Sequence, residues 1–171
     1  GGVMGCGLRE RSCLIWGAGA FGGTVGAYLV RAGHDVTLVD TVASHVDAIN
    51  ANGLQITGPI AAFTVPVTAH TPNVIAGEWD TVLLATKAHH TEAAVRALVP
   101  FLSIDGCVVS AQNGLNELQI AEVLGADRTV GAFVNFGADY IEPGVIHYGG
   151  RGAVVVGEIA GAVTPRVEDL R

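Results

Sequence analysis

Apolar runs of strand length alternate with helical patterns over most of this chain. Cys13 to Trp16 predicts a first strand, Ala20 to Ala32 a helix and Asp35 to Val39 a second strand; a helical pattern over residues 42 to 51 then closes at Asn52-Gly53. From Leu54 to Val67 the pattern changes to alternation broken by Gly58-Pro59, which predicts a hairpin inserted before the next helical connection. Thr81 to Ala85 is a short apolar strand, and Thr91 to Val99 a helix stopped by Pro100. Strand Cys107 to Ser110, helix Leu115 to Leu124 and strand Thr129 to Val134 follow. After residue 134 the helical patterns end, and Val145 to Tyr148 and Ala153 to Val156 read as two more strands joined by Gly149-Gly150-Arg151-Gly152. The alternation implies an α/β fold, a doubly wound, mostly parallel sheet covered on both faces, with extra strands toward the C-terminal end.

The first strand runs into Gly17-Ala18-Gly19-Ala20-Phe21-Gly22, which fits G-x-G-x-x-G. In a chain of 24 glycines that string alone is weak. Its context raises it: a strand precedes, a helix follows, and the second strand ends at Asp40, 18 positions past Gly22. Gly17 allows the tight turn off the strand, Gly19 lets a pyrophosphate approach the backbone, and Gly22 lets the helix lie close to the sheet. Free amides and the positive end of the helix dipole then supply an anion site. Asp40 is placed to accept hydrogen bonds from both ribose hydroxyls of an adenosine, the alternative being a cap for the next helix. A 2′-phosphate about 5 Å from that carboxylate would cost roughly 3 kcal/mol per phosphate charge at an effective dielectric of about 20. On these grounds Asp40 favours NAD(H) over NADP(H).

In an open α/β sheet the ligand lies beyond the carboxyl ends of the strands. Lys87, the sole lysine, follows one strand in "ATKAHH"; it is either solvated or anchors a ribose hydroxyl or a substrate carboxylate. Asn113 follows the next strand in "SAQNGL"; it is either a turn residue before Gly114 or an amide presenting a donor and an acceptor to cofactor or substrate. His89 and His90 diverge on a helix and do not pair as metal ligands, so no metal site is expected. His147, in a late strand, reads as structural.

Half of the 171 residues are hydrophobic and 15% are charged, enough for one domain with a sizeable core. The net charge of -7 argues against general affinity for nucleic acid or anionic membrane, so a bound anion must be held locally. Cys6, Cys13 and Cys107 have no metal-type spacing and read as reduced thiols of a cytoplasmic protein. No apolar run reaches membrane-helix length and no signal pattern appears. Residues ahead of and just after Met4, 1–11 in all, read as a cloning remnant or leader; 12–160 form the dinucleotide-binding domain, and 161–171 begin a linker.

With these pieces in place the chain resembles the N-terminal domain of the ketopantoate reductase (2-dehydropantoate 2-reductase) family. The residues that carry the resemblance are "GAGAFG" at 17 to 22, "ATKAHH" around Lys87, "AQNGL" around Asn113 and "PGVIHYGGRGAVVVGE" from Pro143 to Glu158. The resemblance implies a Rossmann-type NAD(P)-binding domain that reduces 2-dehydropantoate to pantoate on the route to pantothenate and coenzyme A, normally with NADPH. Gly17, Ala18, Gly19, Ala20, Phe21 and Gly22 would cradle the pyrophosphate, and Lys87 and Asn113 would lie between cofactor and substrate as the catalytic pair of this half. The backbone at Gly137 and Ala138 would touch the cofactor. The family's helical second domain supplies a general-acid lysine and a substrate-binding glutamate; it is expected to be missing from this chain, which by itself should be inactive. No Arg or Lys occurs from Val36 through Ala62, where relatives that use NADPH are expected to place a basic residue near Asp40. That departure opens two alternatives: a reductase of another small 2-oxo acid, or a non-catalytic dinucleotide-sensing domain. A homodimer is compatible with all three.

Overall fold

A computed structural model describes residues 12–86, 91–110, 129–131 and 138–149. The ten strands among them form two sheets. The first strand, β1 (Ser12–Trp16), leads into α1 (Ala20–Arg31), β2 (Asp35–Val39) and α2 (Ala43–Asn52). The hairpin β3 (Leu54–Thr57) and β4 (Phe63–Val65) comes next, with β5 (Thr68–His70), β6 (Trp79–Leu84) and α3 (Thr91–Leu98) behind it. Beyond a 3-10 turn at Val99–Phe101 lie β7 (Leu102–Ser110), β8 (Thr129–Gly131), β9 (Ala138–Glu142) and β10 (Val145–Tyr148).

The main sheet has the order β5-β2-β1-β6-β7-β8, and every neighbouring pair in it is parallel. Counted along the sheet's own strands this is 3-2-1-4-5-6, the doubly wound order whose direction reverses beside the first strand. Alternation along each strand sends side chains to two cores. Ile15, Leu83 and Val109 face α1 and α2, whereas Leu14, Val82 and Val108 face α3. The second sheet, β4-β3-β10-β9, lies on the α1 side, where Leu54, Ile56 and Ile146 complete the first core.

The predicted hairpin is present, with Leu54 opposite Val65 and Ile56 opposite Phe63. The helix predicted over 42–51 spans Ala43–Asn52 and ends at Gly53, whose φ of 85 suits glycine. Three differences stand out. β7 begins at Leu102 rather than Cys107, ahead of a register shift against β6; Ser103, Asp105 and Gly106 interrupt its early part, and Ser103 Oγ donates to Asp80 Oδ1 at 2.5 Å, so no apolar run marks it. β5 and β9 were not expected at all. β10 therefore pairs back to β9 through a turn at Pro143-Gly144, and forward, in parallel, to β3. The predicted helix at 115–124, the strand at 153–156, the leader 1–11 and the segment 161–171 lie outside the described residues.

Candidate functional site

The carboxyl ends of β1 and β2 meet in the loop Gly17–Gly22. Gly17 has φ 109, and its amide donates to the Val39 carbonyl at 2.7 Å, so the turn leaves β1 while still bonded to β2. A Cβ on Gly17 would stand 2.9 Å from the Ala85 carbonyl oxygen, and one on Gly22 would overlap the Gly17 carbonyl. These two glycines let α1 start hard against the sheet. Gly19, the N-cap of α1, differs: a Cβ there would meet nothing within 4 Å. The loop is thus packed at both ends and open in the middle, at the helix N-terminus where amide donors and dipole favour an anion. Ala20 and Phe21 form the first turn of α1.

Asp40 follows β2 and faces this loop. Its Oδ2 accepts the Ala18 amide at 2.9 Å, and its Oδ1 accepts the Val42 amide at 2.9 Å. The N-cap of α2 is Val42, with no side-chain cap bond, so Asp40 is not that helix's N-cap. Its carboxylate instead closes a short turn onto Val42 and holds the glycine loop. Each oxygen retains a lone pair, which leaves acceptor capacity for a ribose.

His45, which sequence reasoning missed, completes the loop's support. It is 1% exposed, its Nε2 lies 2.6 Å from the Ala18 carbonyl oxygen, and its Nδ1 accepts the Gly144 amide at 2.9 Å. No spacing motif marks it; a histidine early in an amphipathic helix reads as surface. Two further hydroxyls lie at the same end of the sheet. Thr86 Oγ1, just past β6, and Ser110 Oγ, at the end of β7, are buried with no hydrogen-bond partner among the described residues. A tight loop, an open N-cap and unengaged hydroxyls fit a dinucleotide laid across these strand ends.

Ala138 begins β9 and is half-buried against the first core. His147 bonds Thr57 across the β3–β10 pair at 3.3 Å, in the structural role expected of it. Lys87, Asn113, Gly137, His89, His90 and Cys6 lie outside the described residues. Among the described residues no three His, Cys, Asp or Glu side chains gather as a metal site, and no helix is long and apolar enough to cross a membrane.

The sheet order, the glycine loop opening α1 and the acid closing β2 together define a domain with the Rossmann-type fold. The chain belongs to the ketopantoate reductase PanE/ApbA family, whose sequence profile matches residues 13–161. It is 37% identical over 144 residues to a 2-dehydropantoate 2-reductase of Pyrococcus horikoshii, covering 84% of this chain and 46% of that protein. It is 32% identical over 155 residues to the enzyme of that name from a Nostoc species, covering 90% and 48%. The chain thus spans about half the length of the curated relatives it matches. Among solved structures, a PanE/ApbA family ketopantoate reductase from Ralstonia eutropha superposes with a TM-score of 0.77 at 31% identity, covering 90% of this chain and 55% of that one. A D-mandelate dehydrogenase in a ternary structure with NADH and anilino(oxo)acetate superposes with a TM-score of 0.75 at 25% identity, covering 81% and 46%.

Proposed function

We propose that this chain is the cofactor-binding half of a 2-dehydropantoate 2-reductase, holding a nicotinamide dinucleotide across the ends of β1, β2 and β6. The observation that carries the reading is the Gly17–Gly22 loop, open at Gly19 and held by Asp40 through the Ala18 amide. In this reading the α1 N-terminus binds the pyrophosphate and Asp40 the adenosine ribose. Lys87 and Asn113 are each the third residue after a strand, β6 and β7 respectively. Their position in sequence, just after strands whose carboxyl ends are where open α/β sheets bind ligands, supports roles in orienting the substrate carboxylate and the reacting carbonyl. The bound dinucleotide supplies the hydride. The chain's own donors stabilise charge on the ketone oxygen as it forms.

A second reading, that the substrate is a different small 2-oxo acid and the cofactor NADH, is favoured by Asp40 and by the likeness to the NADH-bound D-mandelate dehydrogenase. Parallel calorimetric titrations of the 171-residue chain with NADH and NADPH test both. Tighter binding of NADH is expected from the carboxylate of Asp40. Tighter binding of NADPH would return specificity to the commoner family pattern, and binding of neither would overturn the cofactor reading.

A further inference from the structure

We infer that His45 is the positioning residue of the glycine-rich loop, clamping the Ala18 carbonyl to the β9–β10 turn through a neutral imidazole protonated at Nε2. The inference rests on the reading of that loop as the cofactor cradle.

The two partners of the ring assign its hydrogen. The Gly144 amide 2.9 Å from Nδ1 can only donate, so Nδ1 carries no hydrogen. The Ala18 carbonyl 2.6 Å from Nε2 can only accept, so Nε2 carries one. Both bonds are buried, and the ring of Tyr140 meets the imidazole edge-on at 5.0 Å. A doubly protonated ring would set an N–H against the Gly144 N–H, and the other neutral tautomer would misdirect both bonds.

The bond to Ala18 has a geometric consequence for the neighbouring residue. The peptide joining Ala18 to Gly19 is planar and trans, so its N–H points opposite to its carbonyl. Fixing the Ala18 carbonyl on His45 therefore fixes the direction of the Gly19 N–H, away from the imidazole, at the open N-cap of α1. Asp40 fixes the preceding peptide through the Ala18 amide. The two peptide planes flanking Ala18, itself fully buried, are thus set by side chains from β2's end and from α2. At the other end of the ring, Gly144 turns β9 into β10 with φ 83, and a Cβ on it would stand 3.2 Å from Ala48 Cβ. His45 thereby ties the loop to the hairpin that begins at Ala138.

The test compares wild type, His45→Gln and His45→Phe in the 171-residue chain. Glutamine offers an NH2 donor group and a carbonyl acceptor on an uncharged side chain, whereas phenylalanine fills the space with neither. With NADH as the probe, His45→Phe is expected to weaken binding by at least about tenfold, in line with an unpartnered buried carbonyl, and His45→Gln to stay within about threefold. Amide exchange at Gly19 and Gly144 should quicken in His45→Phe while β1 and β2 keep their protection. Imidazole nitrogen spectra of wild type should show a bare Nδ1 and a protonated Nε2. Equal binding by all three, equal loss in both variants, or the other tautomer would overturn the inference. Should His45→Phe fail to fold, the His45→Gln titration and the tautomer still decide it. Should wild type bind no nucleotide, the cofactor reading fails, and the exchange and tautomer measurements alone decide whether His45 clamps the loop.

Discussion

Cys13 lies in β1 with its thiol out of contact with water, and burial pushes its pKa from 9.0 up to about 12. The folded chain therefore holds this proton more tightly than the unfolded one. The stability associated with it is fully present below about pH 9 and drains away as pH rises toward about 12. Urea midpoints should fall between neutral pH and about pH 10.5, and the fall should be shallower in Cys13→Ala, with matched slopes in the two proteins contradicting the assignment. At this scale the sequence was legible where backbone geometry demands a particular residue. Gly17 and Gly22 show themselves because no side chain fits, and Asp40 because it ends an apolar strand at a telling distance from the loop. His45 was hidden because its importance lies in two backbone partners, one of them Gly144, far away along the chain.

Elements were legible in proportion to how much of their own sequence decides them. β1, β2 and α1 carry their period in their side chains. β5 is only Thr-Ala-His, and its strand character comes from its surroundings: β2 on one side, and on the other Asn50 of α2. The Asn50 amide donates to the Ala69 carbonyl and accepts the Ala69 amide, each at 2.9 Å, standing in for one residue of a neighbouring strand. It thereby covers a sheet edge that would otherwise be open to pairing. Asn50→Ala should lower stability by about 1–3 kcal/mol in denaturant unfolding, because both Ala69 groups lose their partner. Asn50→Asp, which sets a carboxylate against the Ala69 carbonyl, should cost at least as much at neutral pH and recover part of the loss on acidification. β9 escaped detection for the opposite reason. Tyr140, Ile141 and Glu142 are all exposed, so no alternation of apolar and polar positions marks the strand.

For the whole molecule, alternating strands and helices were enough to read a doubly wound sheet, but not the second sheet, which joins segments that no local pattern relates. The two sheets share one core around α1, so the loop at its N-terminus is supported from both. On the proposed function, the 171-residue chain should bind nucleotide without sustaining steady-state reduction of 2-dehydropantoate; turnover by this chain alone would place the complete chemistry within it. The parallel pairing of β3 with β10 also bears on how the molecule is made. Gln55 pairs with Val145, so β3 leaves the ribosome 90 residues before its partner. At about 5–20 residues per second that is an interval of roughly 5–20 s. Throughout it the β3–β4 hairpin has an open edge, and the flank of α1 at Gly23, which Ile146 later covers, stays bare. The nascent chain is thus open to misassociation over this interval, and emergence of the β9–β10 hairpin is what ends that exposure.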